Sequence, residues 1–404
     1  MALPIKRMRY DVEYMLETIA WLEFLRRRKR KAFLVLLAHE TMRYTRNSPL
    51  LPPSPSVSWP HFYYVDLPNL NDQEFRNRMK LSRLAIEYIH NELEKQVDLS
   101  NPHGWPFMLK LQSVMWLLTH EGSIEQTSSL FGISVSTMVE WIPEVTNLIQ
   151  AHILPMVGQF PTADSPYSRQ THRDFIQFAR SMYPLRNVRG ALDSSLIRLA
   201  RRPATPVPNQ YWSRKGFPAI HLLAICDAIG CFTFADIGFP GRSHDSYVLS
   251  QSELFRRQQE LFPPDTPDGD YLLADKGFPL TYWIMTPFRR THGMTKIQMD
   301  FNRTLSQMRC IIEQAFGMLK GRFRCLRHLS FDICRLEAVV ATCVAAHNIC
   351  IMLDDPLEER YWILDIDDSD ELEEIDEDDD TAYYGSDRQI GYAKRNALAY
   401  NLLS

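Results

Sequence analysis

The clearest hydrophobic periodicity in the chain runs from Thr304 to Phe323. Leu305, Met308, Ile312, Ala315, Phe316, Leu319 and Phe323 recur there at steps of three and four, which predicts a helix with one buried face. Gly321 stands where the pattern ends and is expected to cap it. Glu313 lies at the edge of the stripe, where a carboxylate is either paired or working. Arg309, one turn earlier, offers a simple partner; such a pair on a helix surface stabilises by about 0.3–0.5 kcal/mol.

The helical period also dominates the first half of the chain. Residues 5–46 read as helical, and Ser48–Pro60 as a linker with five prolines and four serines. Helices are expected over 70–96 and 105–119. From Ser123 to Ile149 a short helix, a Gly-Ile-Ser turn and a second helix capped by Ser134 or Ser136 make a helix-turn-helix pattern. Such a unit can read DNA in the major groove or serve only in packing. Its second helix, 137–150, carries two Glu and no Lys or Arg, so it offers no phosphate contacts. Residues 158–189 form a polar connector with one helix over 173–181.

The pattern changes at Gly190. Strands are expected at 190–200, 219–227, 231–238 and 270–275, with a helix over 245–257 between the last two. Asp193 lies on the first strand, Asp275 ends the fourth, and Glu313 follows on the helix. This order suits a mixed sheet with helices packed on it. Asp at a strand end is also an ordinary turn residue, and Asp245 is a good helix N-cap. It is the joint placement that points to chemistry. Carboxylates gathered at one sheet edge repel and need a compensating cation. Mg²⁺ takes oxygen ligands and keeps open water positions, and two such ions serve phosphodiester hydrolysis.

Composition narrows the classes. The chain has 404 residues, 45% hydrophobic, enough for more than one domain with a sizeable core. No uninterrupted apolar run approaches the ~18 residues of a membrane span, and the N-terminus does not read as a signal peptide. Seven Cys without a CxxC pair argue against a disulfide framework and a zinc ribbon; Cys226, Cys310, Cys343 and Cys350 sit in apolar runs and are expected in the core. The net charge of −4 hides twelve acids between Asp365 and Asp380, so the rest of the chain is basic. Six cations, Arg26–Lys31, suit a nuclear-import or nucleic-acid patch, or simply a solvated helix face.

With these residues in place a resemblance becomes specific. GALDSSLI (190–197), YWSRKGFPAIHLLAICD (211–227), GFPGRSHDS (238–246), YLLADKGFPLTYWIMTPF (271–288), FNRTLSQMRCIIEQAFGMLKGRFRCL (301–326) and CVAAHNIC (343–350) resemble, in order, the motifs of the Harbinger-type DDE transposases and their transposase-derived nuclease relatives. The resemblance implies an RNase H-like α/β catalytic domain holding divalent cations (Mg²⁺ or Mn²⁺). It implies Asp193, Asp275 and Glu313 as the catalytic triad, and Asp245 as a further metal ligand. DNA is the implied substrate, and a separate Myb/SANT-like DNA-binding protein the implied partner, with a nuclear and possibly also cytoplasmic location. Arg214, Lys215, Lys320, Arg322 and Arg324 would line a DNA groove; cations at the end of the Glu313 helix would equally complement its dipole.

Two departures bear on activity. The usual Asp-Gly-Thr-His is Asp193-Ser194-Ser195-Leu196 here, and the usual Gly-Asp-Ser-Gly-Tyr is Ala274-Asp275-Lys276-Gly277-Phe278. Lys276 is placed to contact a phosphate or to pair with Asp275. A catalytically silent chromatin or transcription scaffold is therefore the second reading. The expected organisation is a helical segment and linker over 1–60, a helix-turn-helix region over 61–157, a connector over 158–189, the catalytic domain over 190–352 and a disordered acidic tail over 353–404.

Overall fold

The computed structural model describes residues 60–100, 104–161, 165–179, 184–263, 269–291, 293–355, 357 and 381–401. The expected helix over 5–46, the Arg26–Lys31 cations, the linker up to Trp59 and the acids of 365–380 lie outside the described residues.

The helical half begins with α1 (Asp72–Met79) and α2 (Arg83–Glu94), which divide the single helix expected there. Lys80 between them takes a left-handed conformation (φ 62°), and Ser82 caps the second helix. Then come α3 (Phe107–Thr119), α4 (Ile124–Phe131) and α5 (Val135–Leu148). Ser123 and Gln126 make a capping box on α4, Gly132 turns left-handed (φ 62°), and Ser134 caps α5. Met138, Trp141, Ile142 and Val145 of α5 are buried, and the helix packs on α3 and on a late core helix. Helix α6 (Pro166–Phe178) follows and lies against the first strand.

Five strands form one sheet: β1 (Val188–Arg198), β2 (Ala219–Cys226), β3 (Phe232–Pro240), β4 (Tyr271–Leu273) and β5 (Ile284–Met285), in the order β3-β2-β1-β4-β5. β1, β2 and β3 pair antiparallel, and β4 joins β1 and β5 in parallel. All eight residues of β2 are buried, as expected for a strand covered on both faces. One face holds an apolar cluster of Leu192, Leu223, Ile225, Leu272, Phe278, Trp283 and Ile284. Val248 and Leu249 of α7 (Asp245–Gln251) join it. The single helix expected over 245–257 is interrupted at Ser252, whose extended backbone starts a new short helix and whose hydroxyl caps it.

The other face carries α8 (Lys296–Arg322), which lies across β1, β2 and β4. Thr295 and Gln298 make its capping box. All seven apolar positions read from the sequence are buried, each apolar side chain of that size stabilising by roughly 1.5–3 kcal/mol. The helix runs past Gly321, the expected cap. Tertiary bonds hold its last turn: Lys320 Nζ donates to Leu196 O (3.1 Å) and Arg322 to Lys80 O (2.7 Å).

Helix α9 (Ile333–Met352) is long and apolar enough to cross a membrane by length and composition, yet most of it is buried inside the protein. Asn348 clamps the β2–β3 turn by accepting from Phe232 N (2.8 Å) and donating to Phe232 O (2.7 Å) and Val157 O (2.9 Å). Helix α9 also touches α2, α5 and β3, so helical half and sheet share one core. Beyond it, Asp355 is buried and takes Ser82 N–H (2.6 Å), Arg76 (2.9 Å) and Arg322 (3.4 Å).

The tail departs from the expectation of disorder. Residues 381–401 form α10 (Thr381–Asn401), packed on α8 and β5. Lys394 Nζ donates to Gly269 O (2.6 Å) and Tyr282 O (2.9 Å), and Arg395 to Pro287 O (3.1 Å). Composition reads the tail by its acids; the helix lies in the 21 residues after them. All seven cysteines are free, and the four expected in the core are there.

Two predictions follow from this packing. A Cβ on Gly391 would stand 2.8 Å from the carbonyl carbon and oxygen of Thr281. Gly391→Val should dislodge α10 and open Arg395, 8% exposed in the fold, to trypsin, read by mass spectrometry of the cut sites. Buried Asp227 accepts from Tyr167 Oη (2.5 Å), Ile229 N (3.0 Å) and Cys231 N (2.9 Å). Burial outweighs these bonds and pushes its carboxyl up to about 6 from 3.8. A folded value above the unfolded one gives stability that is complete below pH 3.8 and lost as pH rises through 6. Wild type should therefore lose about 3 kcal/mol relative to Asp227→Asn between pH 4 and 7, read by denaturant melts.

Candidate active site

Parallel pairing of β1 and β4 sets two acids side by side. Ala191 pairs with Leu273, and Asp193 and Asp275 each lie two residues beyond that rung, at the same edge of the sheet. Asp193 projects from the α8 face of β1, opposite in parity to Leu192 in the apolar cluster. Its Oδ1 accepts from Ser194 N (2.7 Å), while Asp275 Oδ1 accepts from Gly277 N (2.9 Å). Each acid is thus oriented by its own backbone and keeps a second oxygen for other partners.

Asp245 is the first residue of α7, and His244 holds the N-cap position without a side-chain cap hydrogen bond, so Asp245 is not the cap the sequence allowed. A Cβ placed on Gly277 would lie 3.2 Å from Asp275 Oδ1 and 3.5 Å from Asp245 Oδ2, so both carboxylates border one small volume. Glu313 reaches the same region from α8.

Arg309 connects the set. Its guanidinium donates to Asp193 Oδ2 (3.1 Å) and, through its other terminal nitrogen, to Glu313 Oε1. The simple pairing with Glu313 is therefore real, but it is one half of a bridge to the first strand. Burial pushes the Asp193 carboxyl well above the usual range; Arg309 opposes that, and Asp275, Glu313 and Asp245 add to it. Burial works against the Arg309 charge, and the attraction of Glu313, Asp193 and Asp275 more than offsets it. Asp275, Glu313 and Asp245 thus all lie within electrostatic reach of Asp193. Among the described residues no group of three or more His, Cys, Asp or Glu is drawn together closely enough to hold a metal ion. In donor chemistry the set fits a hard divalent cation, being four carboxylates.

His221 was not foreseen as a site residue. Buried on β2 directly opposite Leu196, it brings Nδ1 to 2.7 Å from Ser194 Oγ and 3.7 Å from Asp245 Oδ1. Burial lowers its pKa to about 4, so the ring is neutral at pH 7. His221 thus faces position 196, where this chain has Leu, from the neighbouring strand. A histidine inside the apolar run AIHLLAIC was the available signal, but the register was not readable.

The proposed DNA-contacting cations divide. Lys320 and Arg322 are 5% and 4% exposed and bond to Leu196 O, Lys80 O and Asp355. They are internal ties, a correction to the groove reading; cation spacing alone did not show that the helix end is buried. Arg324 is half-buried, while Arg214, Lys215 and Lys276 are exposed. Arg214 lies within electrostatic reach of His221.

Residues 192–348 match the DDE superfamily endonuclease family, and they contain all four acids. "Putative nuclease HARBI1" of Rattus norvegicus and of Homo sapiens are each 27% identical over 224 residues, 54% of this chain and 60% of the relative. "Protein ALP1-like" of Arabidopsis thaliana is 26% identical over 305 residues, 70% of this chain and 71% of the relative. No solved structure matches. The domain is a DDE-type endonuclease domain on an α/β scaffold with a mixed sheet. Over this domain the chain is similar to the Harbinger transposase-derived nucleases. It spans about 60% of the length of the HARBI1 relatives it matches.

Proposed function

We propose that this protein is a transposase-derived nuclease whose RNase H-like domain hydrolyses DNA phosphodiester bonds with divalent metal, Mg²⁺ or Mn²⁺. The observation that carries the reading is the convergence of Asp193, Asp245, Asp275 and Glu313 from four separate elements, two of them set side by side by the β1–β4 register. Asp193, Asp275 and Glu313 are the catalytic acids, and these with Asp245 would hold the metal. When bound, a pair of such ions activates the attacking water and stabilises the departing oxygen.

The chain's own groups supply the rest. Ser194 N–H and Gly277 N–H fix the rotation of Asp193 and Asp275. His221 holds Ser194 beside Asp245 without adding a charge. Arg214 and Lys215, both exposed, would grip the DNA backbone. Helix α5 spends one face on packing and pairs Glu144 with Lys110 at 2.6 Å. That supports sequence reading by a separate Myb/SANT-like partner in the nucleus, and a domesticated enzyme rather than a self-sufficient transposase.

The direct test is cleavage of labelled duplex DNA with Mg²⁺ or Mn²⁺, with and without such a partner. Metal-dependent cutting should fall at least about a hundredfold in Glu313→Gln, of the order of ~3 kcal/mol of transition-state stabilisation. Folded wild type that cuts under neither condition would leave the scaffold role instead. A second measurement separates the cations. Replacing Arg214 and Lys215 by Ala should lower the slope of log binding against log salt by about two. Lys320→Met should lower the melting temperature and leave that slope unchanged.

A further inference from the structure

The cation already present among the acids invites a specific role. Arg309 projects from α8 one turn before Glu313, its side chain 16% exposed, between Asp193 at 18% and Glu313 at 42%. It bonds one oxygen of each. A guanidinium presents a planar fork of donors and stays charged throughout the accessible pH range, so it can satisfy two carboxylates at once. Removing the partner of a part-buried carboxylate leaves an uncompensated charge. Asp193, with Asp275, Glu313 and Asp245 as acidic neighbours, is such a group. The bridge occupies one oxygen of each of two carboxylates that a divalent ion would draw on, Asp193 Oδ2 and Glu313 Oε1.

We infer that Arg309 is the resident counter-cation of the acid centre: it holds Asp193 and Glu313 together in the metal-free protein and competes with the divalent ion for these two carboxylates. The inference rests on the metal-dependent nuclease reading above. Arg309 is a positioning residue in this account. It sets the metal-free arrangement of the acids, which explains why they gather without forming a ligand cluster. Metal entry then requires the guanidinium to release at least one carboxylate, and Glu313 is the more exposed of the two.

The test uses the full chain and Mn²⁺ alone, without DNA. Mn²⁺ binding is read from the electron paramagnetic resonance signal of the free ion, and melting temperature is read with and without Mn²⁺. Arg309→Gln should bind Mn²⁺ at least about tenfold more tightly than wild type. Its metal-free melting temperature should drop, and Mn²⁺ should raise it by more than in wild type. Arg309→Lys carries a compact charge that pairs one carboxylate at a time, so its Mn²⁺ affinity should fall between the two. Should Arg309→Gln fail to fold, the Lys variant decides by the same criterion. In wild type, titration with diamagnetic Mg²⁺ should shift the Arg309 Nε–H resonance, assigned by its loss in Arg309→Lys. Unchanged or weaker Mn²⁺ affinity in folded variants, with wild type binding Mn²⁺, overturns the competition and leaves the nuclease reading standing. If neither wild type nor variants bind Mn²⁺, both fall.

Discussion

Four carboxylates brought to one sheet edge repel one another, and the rest of the domain is arranged around holding them there. The repulsion rises as water is excluded, and Asp193 is only 18% exposed at its side chain. The fold answers with rigidity. A parallel β1–β4 rung fixes two acids, the start of α7 fixes the third, and a 27-residue helix carries the fourth. One buried-side guanidinium supplies the opposite charge. Burial strengthens its attraction to Asp193 and also raises the cost of desolvating both groups, and for Asp193 the desolvation is the larger effect.

The helix carrying Glu313 is secured at both ends, and this explains several residues that have no part in chemistry. Thr295 and Gln298 close its first turn. Lys320 and Arg322 tie its last turn to β1, to Lys80 and to Asp355. Asp355 in turn gathers Arg76 and the Ser82 N–H, so the α1–α2 corner braces the helix from behind. Helix α10 covers the β5 edge of the sheet, which would otherwise expose unpaired backbone groups. The helical half and the tail helix thus brace the element that carries Glu313.

The sequence made the periodic and charged features legible and concealed the long-range ones. The α8 stripe, the four main strands and the Ser134 cap follow from spacing and local chemistry. β5 was missed because two residues, Ile284 and Met285, cannot display a period. The α8 terminus was misplaced because Gly321 is a good stop locally, and tertiary bonds from Lys320 and Arg322 overrule it. The four acids were legible as a set; that Arg309 reaches Asp193 as well as Glu313 depends on the packing of α8 on β1. His221 was invisible for a similar reason, since its role depends on lying opposite Leu196.

With Lys320 and Arg322 committed inside the protein, exposed positive charge remains at Lys276, next to Asp275, and on the 208–218 loop at Arg214 and Lys215. That loop is not loosely attached. Arg242 N donates to Gln210 O at 2.9 Å, and Ser213 N to Phe217 O at 2.9 Å closes it on itself. Gly216, at φ 81°, makes the turn possible. The first of these bonds joins the loop to the turn that leads through His244 into Asp245. A phosphate held at Arg214 or Lys215 would therefore pull on the same short segment that positions Asp245. In the nuclease reading, substrate grip and acid placement are mechanically linked through the Arg242–Gln210 bond.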